Sequence, residues 1–198
     1  MKRIKQYIAQ IMEKKNDAVT ELRQWEEIHP NYYRCDKERA RQEIESRLLA
    51  ELDTMSKDAQ AACADFAARV EAKRPRFNPT SKEFLEIGNL ISLYGDKMPD
   101  NVQEEIARRY KNNPDALNSM LPLFDKNHLA LAYTEAKKHL RAMEQNSMST
   151  ITDSIYYACK VPEYRGEQSI LNMLDEYAAQ MGVDDTGAPV DTMPTPNE

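Results

Sequence analysis

The chain has 198 residues, of which 41% are hydrophobic, 30% are charged and only five are Gly, and its net charge is −6 at pH 7. This composition favours helix and argues against a β-sandwich or a Gly-rich nucleotide-binding fold. No apolar run reaches the roughly 18 residues of a membrane span, and the N-terminus lacks the apolar core of a signal peptide. We therefore expect a soluble, cytoplasmic protein that does not insert into membranes.

The first 76 residues contain two long runs with helical periodicity. From Lys2 to Ile28 apolar residues recur every three or four positions, interrupted once by Lys15, and from Asp36 to Arg74 there is neither Gly nor Pro. Pro30 places a turn at residues 29–36. Because both apolar stripes are narrow, we predict that residues 1–76 form an antiparallel, coiled-coil-like helical hairpin. In the register we expect, residue i lies opposite about residue 65 − i.

Shorter segments, separated by Pro and Gly, follow Pro75 and Pro79. They predict helices at about 80–94, 99–111, 114–121, 127–145, 147–160 and 167–180. Residues 77–182 are therefore expected to form a compact helical bundle. The last 16 residues, 183–198, carry four acidic and no basic residues and are Pro-rich, so we predict a disordered acidic tail. The predicted fold class is all-α.

One face of the second long helix is broader than a single partner helix covers. It consists of Leu48, Leu49, Leu52 and Met55. This face predicts that the chain self-associates through the hairpin. The alternative is that the C-terminal bundle covers it.

Motifs for common enzyme chemistry are absent from the sequence, which has no GxGxxG, Walker loop, HExxH, GxSxG or CxxC. His128 and His139 are separated by about 16 Å along a helix and do not share a metal ion. The three cysteines are widely spaced, so free thiols are expected. We expect a non-enzymatic protein with no cofactor and no metal ion.

Nucleic-acid binding is not expected either, because basic residues cluster only in the short segments 1–5 and 73–76. A binder usually concentrates such residues on one surface. Solvated helix ends are the simpler interpretation of both segments.

Aromatic residues gather at the predicted hairpin tip. Trp25, the only Trp of the chain, lies one turn before His29, Tyr32 and Tyr33. Tyr and Trp bury large areas at low entropic cost, so these four residues are candidates for contacting a protein partner. The other interpretation is structural: Trp25 closes the seam and the two Tyr cover the end of the hairpin.

Residues 90–124, LISLYGDKMPDNVQEEIARRYKNNPDALNSMLPLF, resemble uncharacterised small helical proteins encoded among the structural genes of tailed phages and prophages. The residues that carry the resemblance are Leu90, Ile91, Gly95, Asp100, Ala107, Tyr110, Asn113, Pro114 and Leu117. It implies a phage-borne structural or accessory protein, located in the host cytoplasm or in the virion. It implies no catalytic residue.

Three functional hypotheses follow. The first is a non-enzymatic interaction protein whose hairpin contacts a protein partner or a second copy. The second is an inhibitor of a nucleic-acid-handling machine, whose acidic C-terminal half mimics phosphate charge. The third is a small helical enzyme with an unrecognised site.

Overall fold

A computed structural model describes residues 1–73, 77–188 and 190 of the chain. These residues form eight α-helices, one 3₁₀ turn and no β-strand, so the predicted all-α class is confirmed. None of the described helices combines the length and the apolar character that a membrane span needs. The boundary predicted at Pro75 lies outside the described residues.

The two longest helices form the predicted antiparallel hairpin. They are α1 (Lys2–Ile28) and α2 (Arg34–Lys73). Helix α2 has 40 residues and is therefore about 60 Å long. It begins at Arg34, two residues before the predicted start, so Asp36 lies in its first turn. The Asp36 carboxylate in this turn interacts favourably with the positive, N-terminal end of the helix dipole.

Ion pairs across the hairpin agree with the expected register. Lys14 Nζ lies 2.8 Å from Glu51 Oε2, and Arg47 pairs with Glu21. The first pair matches the expected alignment, and the second differs from it by less than one helical turn. Large apolar side chains of α1 thus pack against small residues of α2, and the buried members of this seam are Ile4, Ile8, Ile11, Ala59, Ala62 and Cys63.

The last two helices pack on this hairpin. They are α7 (Met148–Lys160) and α8 (Glu167–Met181). Lys160 Nζ lies 3.0 Å from Asp53 Oδ1, and the Cys63 thiol contacts Thr152, so α7 runs antiparallel to α2. Buried residues of all four helices form one hydrophobic cluster.

This arrangement differs from the predicted division into a hairpin and a bundle of residues 77–182, because α7 and α8 share the core of the hairpin. Leu52 is fully buried and Leu48 nearly so, while Leu49 stays 38% exposed. The C-terminal helices therefore cover the broad face of α2, as the alternative expectation had it. That face no longer supplies an argument for self-association.

The four helices that lie between α2 and α7 in the sequence form a second hydrophobic cluster. They are α3 (Lys82–Tyr94), α4 (Asp100–Arg109), α5 (Pro114–Lys126) and α6 (Ala130–Gln145), with a 3₁₀ turn at Gly95–Lys97. The hydroxyl of Ser81 and the side-chain oxygen of Asn113 cap α3 and α5. Pro122, expected to bend or end α5, lies inside the helix, which continues past the predicted end at residue 121 to Lys126.

Residues 183–188 are ordered against the hairpin, whereas we expected disorder from residue 183. Val183 is buried in the first cluster, and the Val190 N–H donates to the Gly182 carbonyl at 2.8 Å. Gly187, at φ +80°, lies against Phe66 and Val70 of α2, in a conformation that favours glycine. Residues 189 and 191–198 lie outside the described part of the chain.

One ion pair is buried where the hairpin meets the start of α8. Lys15 Nζ lies 2.7 Å from Glu167 Oε1, and their side chains are only 1% and 4% exposed. The ammonium also donates to the carbonyl oxygens of Tyr164 at 3.0 Å and Val161 at 3.4 Å. Lys15 interrupts the apolar seam of α1 with a charge. Glu167 neutralises that charge, and two carbonyl groups of the α7–α8 turn complete its hydrogen bonds.

We predict that Lys15→Met destabilises the fold by about 3–5 kcal/mol, because it leaves the Glu167 carboxylate buried without its partner. The double variant Lys15→Met/Glu167→Leu should recover most of this loss, since it removes both charges. Urea denaturation of the purified chain measures the free energy of unfolding.

Lys14→Met is the matched control, because Lys14 is the neighbouring residue and its ion pair with Glu51 is exposed. Its denaturation midpoint should stay close to that of the wild type. Equal losses in Lys14→Met and Lys15→Met would contradict the role given to the buried pair.

Candidate protein-binding surface at the hairpin tip

The hairpin extends beyond the helices that cover it. The α7–α8 turn contributes Pro162, Glu163 and Arg165 to a crevice that reaches Leu22 of α1 and Arg41 of α2. Every residue between Lys15 and Ile44 is exposed or half-buried. We call residues 23–40 the tip. Its α1 half extends about 9 Å past Leu22.

Three of the four predicted site residues pack against one another in the tip. The rings of Trp25 and His29 stack with centroids 4.7 Å apart, because the two residues are four positions apart on α1. The ring of Tyr32 meets both edge-on, at 5.8 Å from Trp25 and 4.7 Å from His29. His29 Nδ1 lies 2.9 Å from the Trp25 carbonyl oxygen and donates to it. This aromatic cluster closes the end of the hairpin.

The fourth predicted residue does not join the cluster. Tyr33 is 81% exposed, and Ile28, the last residue of α1, is 72% exposed. Tyr32 itself keeps 52% of its surface exposed. The structural interpretation therefore fits Trp25 and His29, whereas Tyr33 and Ile28 cover little of the chain. The assignment of the four residues to a partner contact stays a prediction.

Sequence reasoning missed Ile28 as a surface residue. The seam of α1 passes through Leu22 and Trp25, and its next position is His29, so Ile28 points away from α2. An isoleucine next to the seam, at the exposed end of a helix, is the signal that would have identified it.

No group of three or more His, Cys, Asp and Glu among the described residues is placed to hold a metal ion. A groove of about 810 Å³ at the other end of the hairpin contains Asp65 and Asp185 beside Arg3 and Arg69. Its described lining includes neither His nor Cys.

The three thiols differ in exposure. Cys35 is exposed in the tip, whereas Cys63 and Cys159 are buried. Burial raises the pKa of the Cys63 and Cys159 thiols, because the thiolate is poorly solvated there.

In the native protein at pH 7.5 we expect iodoacetamide to modify Cys35 alone, because Cys63 and Cys159 are buried and burial raises the pKa of their thiols, which disfavours the reactive thiolate. All three cysteines should react after unfolding in urea. Intact-mass spectrometry counts the modified thiols, and peptide mapping locates them. Rapid native modification of Cys63 or Cys159 would contradict the packing of α7 on α2.

Substituting Tyr32 and Tyr33 one at a time should distinguish the ring that packs in the aromatic cluster from the ring that is exposed to solvent. Tyr33→Ser is expected to change the free energy of unfolding by less than about 0.5 kcal/mol, as exposed substitutions usually do. Tyr32→Ser should cost about 0.5–1.5 kcal/mol, because it removes ring contacts with Trp25 and His29. Urea denaturation measures both, and a large loss in Tyr33→Ser would mean that this ring is packed.

No protein-family model, curated protein or solved structure matches this chain. The resemblance of residues 90–124 to phage-encoded proteins therefore stays a prediction.

Proposed function

We propose that this chain is a non-enzymatic interaction protein that binds a protein partner through the tip of its helical hairpin. In line with the resemblance of residues 90–124, we assign it to the structural or accessory proteins of tailed phages. It would act in the host cytoplasm or in the virion.

The observation that carries the proposal is the exposure of Tyr33 and Ile28 at the end of a two-helix projection. Residues that dominate binding energies are often aromatic, and they act when a partner removes them from water. Both residues retain most of their surface for such a contact. The projection also separates them from the bulk of the molecule, so a partner reaches them without steric hindrance.

The aromatic cluster beneath these residues supports the same function. Because Trp25, His29 and Tyr32 pack against one another, the tip is already ordered before it meets a partner. Preordering lowers the entropic cost of binding. The cluster thus holds the backbone that carries the exposed side chains of Ile28 and Tyr33 in place.

Charges in the tip are of both signs. Glu26 and Glu27 lie in the last turn of α1, while Arg34 lies at the start of α2 with its Nε 3.4 Å from Glu38 Oε1. A mixed surface of this kind does not mimic a phosphate backbone. Binding through the tip should therefore depend less on salt than binding by an acidic mimic, which loses affinity steeply as charges are screened.

The test places the photoreactive residue benzoylphenylalanine at position 33 in cells that produce the protein. We expect irradiation to give a discrete covalent adduct with one protein, identified by mass spectrometry. Position 156 is the matched control, because Tyr156 is also an exposed tyrosine, at 50%, but lies on α7 outside the tip.

With the captured protein purified, Tyr33→Ser should reduce its affinity by more than about 1 kcal/mol, and Tyr156→Ser should not. The affinity should persist in 0.5 M NaCl. The proposal is overturned if positions 33 and 156 give the same adducts, or if neither gives any.

A further inference from the structure

The protein has two hydrophobic cores, which share no residue among those that the structure describes. One core lies between α1, α2, α7 and α8, which we call the hairpin unit, and the other lies within the α3–α6 unit, residues 77–145. The main helix contacts follow this division, since α7 packs on α2 and α8, whereas α6 packs on α4 and α5. Each unit can therefore keep its own packing when the angle between the two units changes.

The two units are joined where α6 passes into α7. Helix α6 ends at Gln145 and α7 begins at Met148, so only Asn146 and Ser147 lie between them. Ser147 has φ −65° and ψ 153°, whereas an α-helix has φ of about −63° and ψ of about −42°. Asn146, with φ −100° and ψ 22°, is closer to helical values. The bend between the two helices thus depends mainly on the backbone angle ψ of Ser147.

The sequence on both sides of this bend is compatible with an uninterrupted helix. Residues 123–161 contain neither Gly nor Pro, the two residue types that most strongly disfavour a helix interior. A helical ψ at Ser147, with a smaller adjustment at Asn146, would join α6 and α7 into one helix over residues 130–160. That helix would gain backbone hydrogen bonds across the junction.

Local hydrogen bonds hold the junction in its bent form. The Ser147 hydroxyl caps α7 by accepting from the Thr150 N–H at 3.2 Å. Thr150 Oγ1 in turn donates to the Glu144 carbonyl oxygen at 3.2 Å. A continuous helix would give up the Ser147 cap, because its residues would then lie inside the helix.

The bent form is also tied to α8 by two side-chain hydrogen bonds. Asn146 Nδ2 donates to Glu176 Oε2 at 2.7 Å, and Gln180 Nε2 donates to the Ala142 carbonyl oxygen at 3.4 Å. The first of these bonds is exposed and the second half-buried. Water can replace a partner at such positions, so these bonds oppose a movement of the units only weakly.

We propose that residues 146–147 form a hinge about which the α3–α6 unit swings as a rigid body. In one form the junction is bent, and in the other α6 and α7 make one continuous helix. The two forms exchange polar bonds of similar kind while both hydrophobic cores stay intact. The other connection permits the swing, because eight residues separate α2 from α3 and can span about 26 Å. This inference goes beyond the proposed function of the tip and does not depend on it.

Double electron–electron resonance between one spin label on each unit measures the swing in the full chain. The labels are attached through Asp58→Cys on α2 and Ser119→Cys on α5, both of which are exposed positions. Cys35→Ser removes the exposed native thiol, and Cys63 and Cys159 are buried. We expect one main distance between the labels in this otherwise wild-type chain, which represents the bent form.

Two hinge variants should move the equilibrium in opposite directions. Asn146→Ala/Ser147→Ala should raise the population of a second, distinct distance by about fivefold or more, because it removes the cap and the bond to Glu176 and places the best helix former at both hinge positions. Met148→Pro should abolish that second distance. Proline is favoured at the first position of a helix, and it keeps the preceding Ser147 extended.

Asn172→Ala/Ser149→Ala is the matched control, because it replaces the same two residue types at exposed helical positions outside the hinge. Its distance distribution should equal that of the wild-type hinge. Circular dichroism with urea denaturation verifies that every variant is folded. If Met148→Pro fails this check, the comparison between the two double alanine variants decides the inference by itself.

The inference is overturned if Asn146→Ala/Ser147→Ala leaves the distance distribution unchanged, or if the matched control shifts it equally. Persistence of the second distance in a folded Met148→Pro variant would contradict it as well. None of these outcomes affects the photocrosslinking test of the tip, which involves no residue of the hinge.

Discussion

The buried ion pair between Lys15 and Glu167 determines how the first cluster assembles. A seam of repeating apolar residues allows α1 to slide by one heptad with small loss of contact, but such a slide moves the Lys15 ammonium about 10 Å from the carboxylate that neutralises it. Burying an unpaired charge is far more unfavourable than losing a few apolar contacts. One alignment of α1 with α8 is therefore strongly preferred, and the position of α7 on α2 follows from it.

This interaction also explains where the covering helices stop. The carbonyl groups of Val161 and Tyr164 complete the hydrogen bonding of the Lys15 ammonium, which keeps the α7–α8 turn beside the middle of α1. Beyond that turn, within the part of the chain that the structure describes, the two hairpin helices pack against each other alone. The exposure of the tip is thus a consequence of where a single lysine lies in the seam.

Much of the secondary structure was predictable because local signals agree with one another. Spacing of apolar residues predicted α1 and α2, and the predicted ranges 80–94 and 114–121 begin close to the observed caps Ser81 of α3 and Asn113 of α5. The packing of α7 and α8 on the hairpin was not predictable, because it depends on contacts between residues about 100 positions apart, such as Asp53 with Lys160. The predicted end of α5 at residue 121 was too early, since a proline such as Pro122 only discourages a helix and the tertiary packing of α5 outweighs that cost.

Helices α7 and α8 pack against the hairpin on one side of Lys15 and leave the tip uncovered. A small rotation of the covered part therefore displaces the tip. Beyond Leu22, which the α7–α8 turn still reaches, the free part of α1 measures about 9 Å. A rotation of only 10° there would move the end of α1 by about 1.6 Å, which is roughly half the length of a hydrogen bond. The precision with which the tip presents its side chains is therefore set by the stiffness of a region that those side chains never touch.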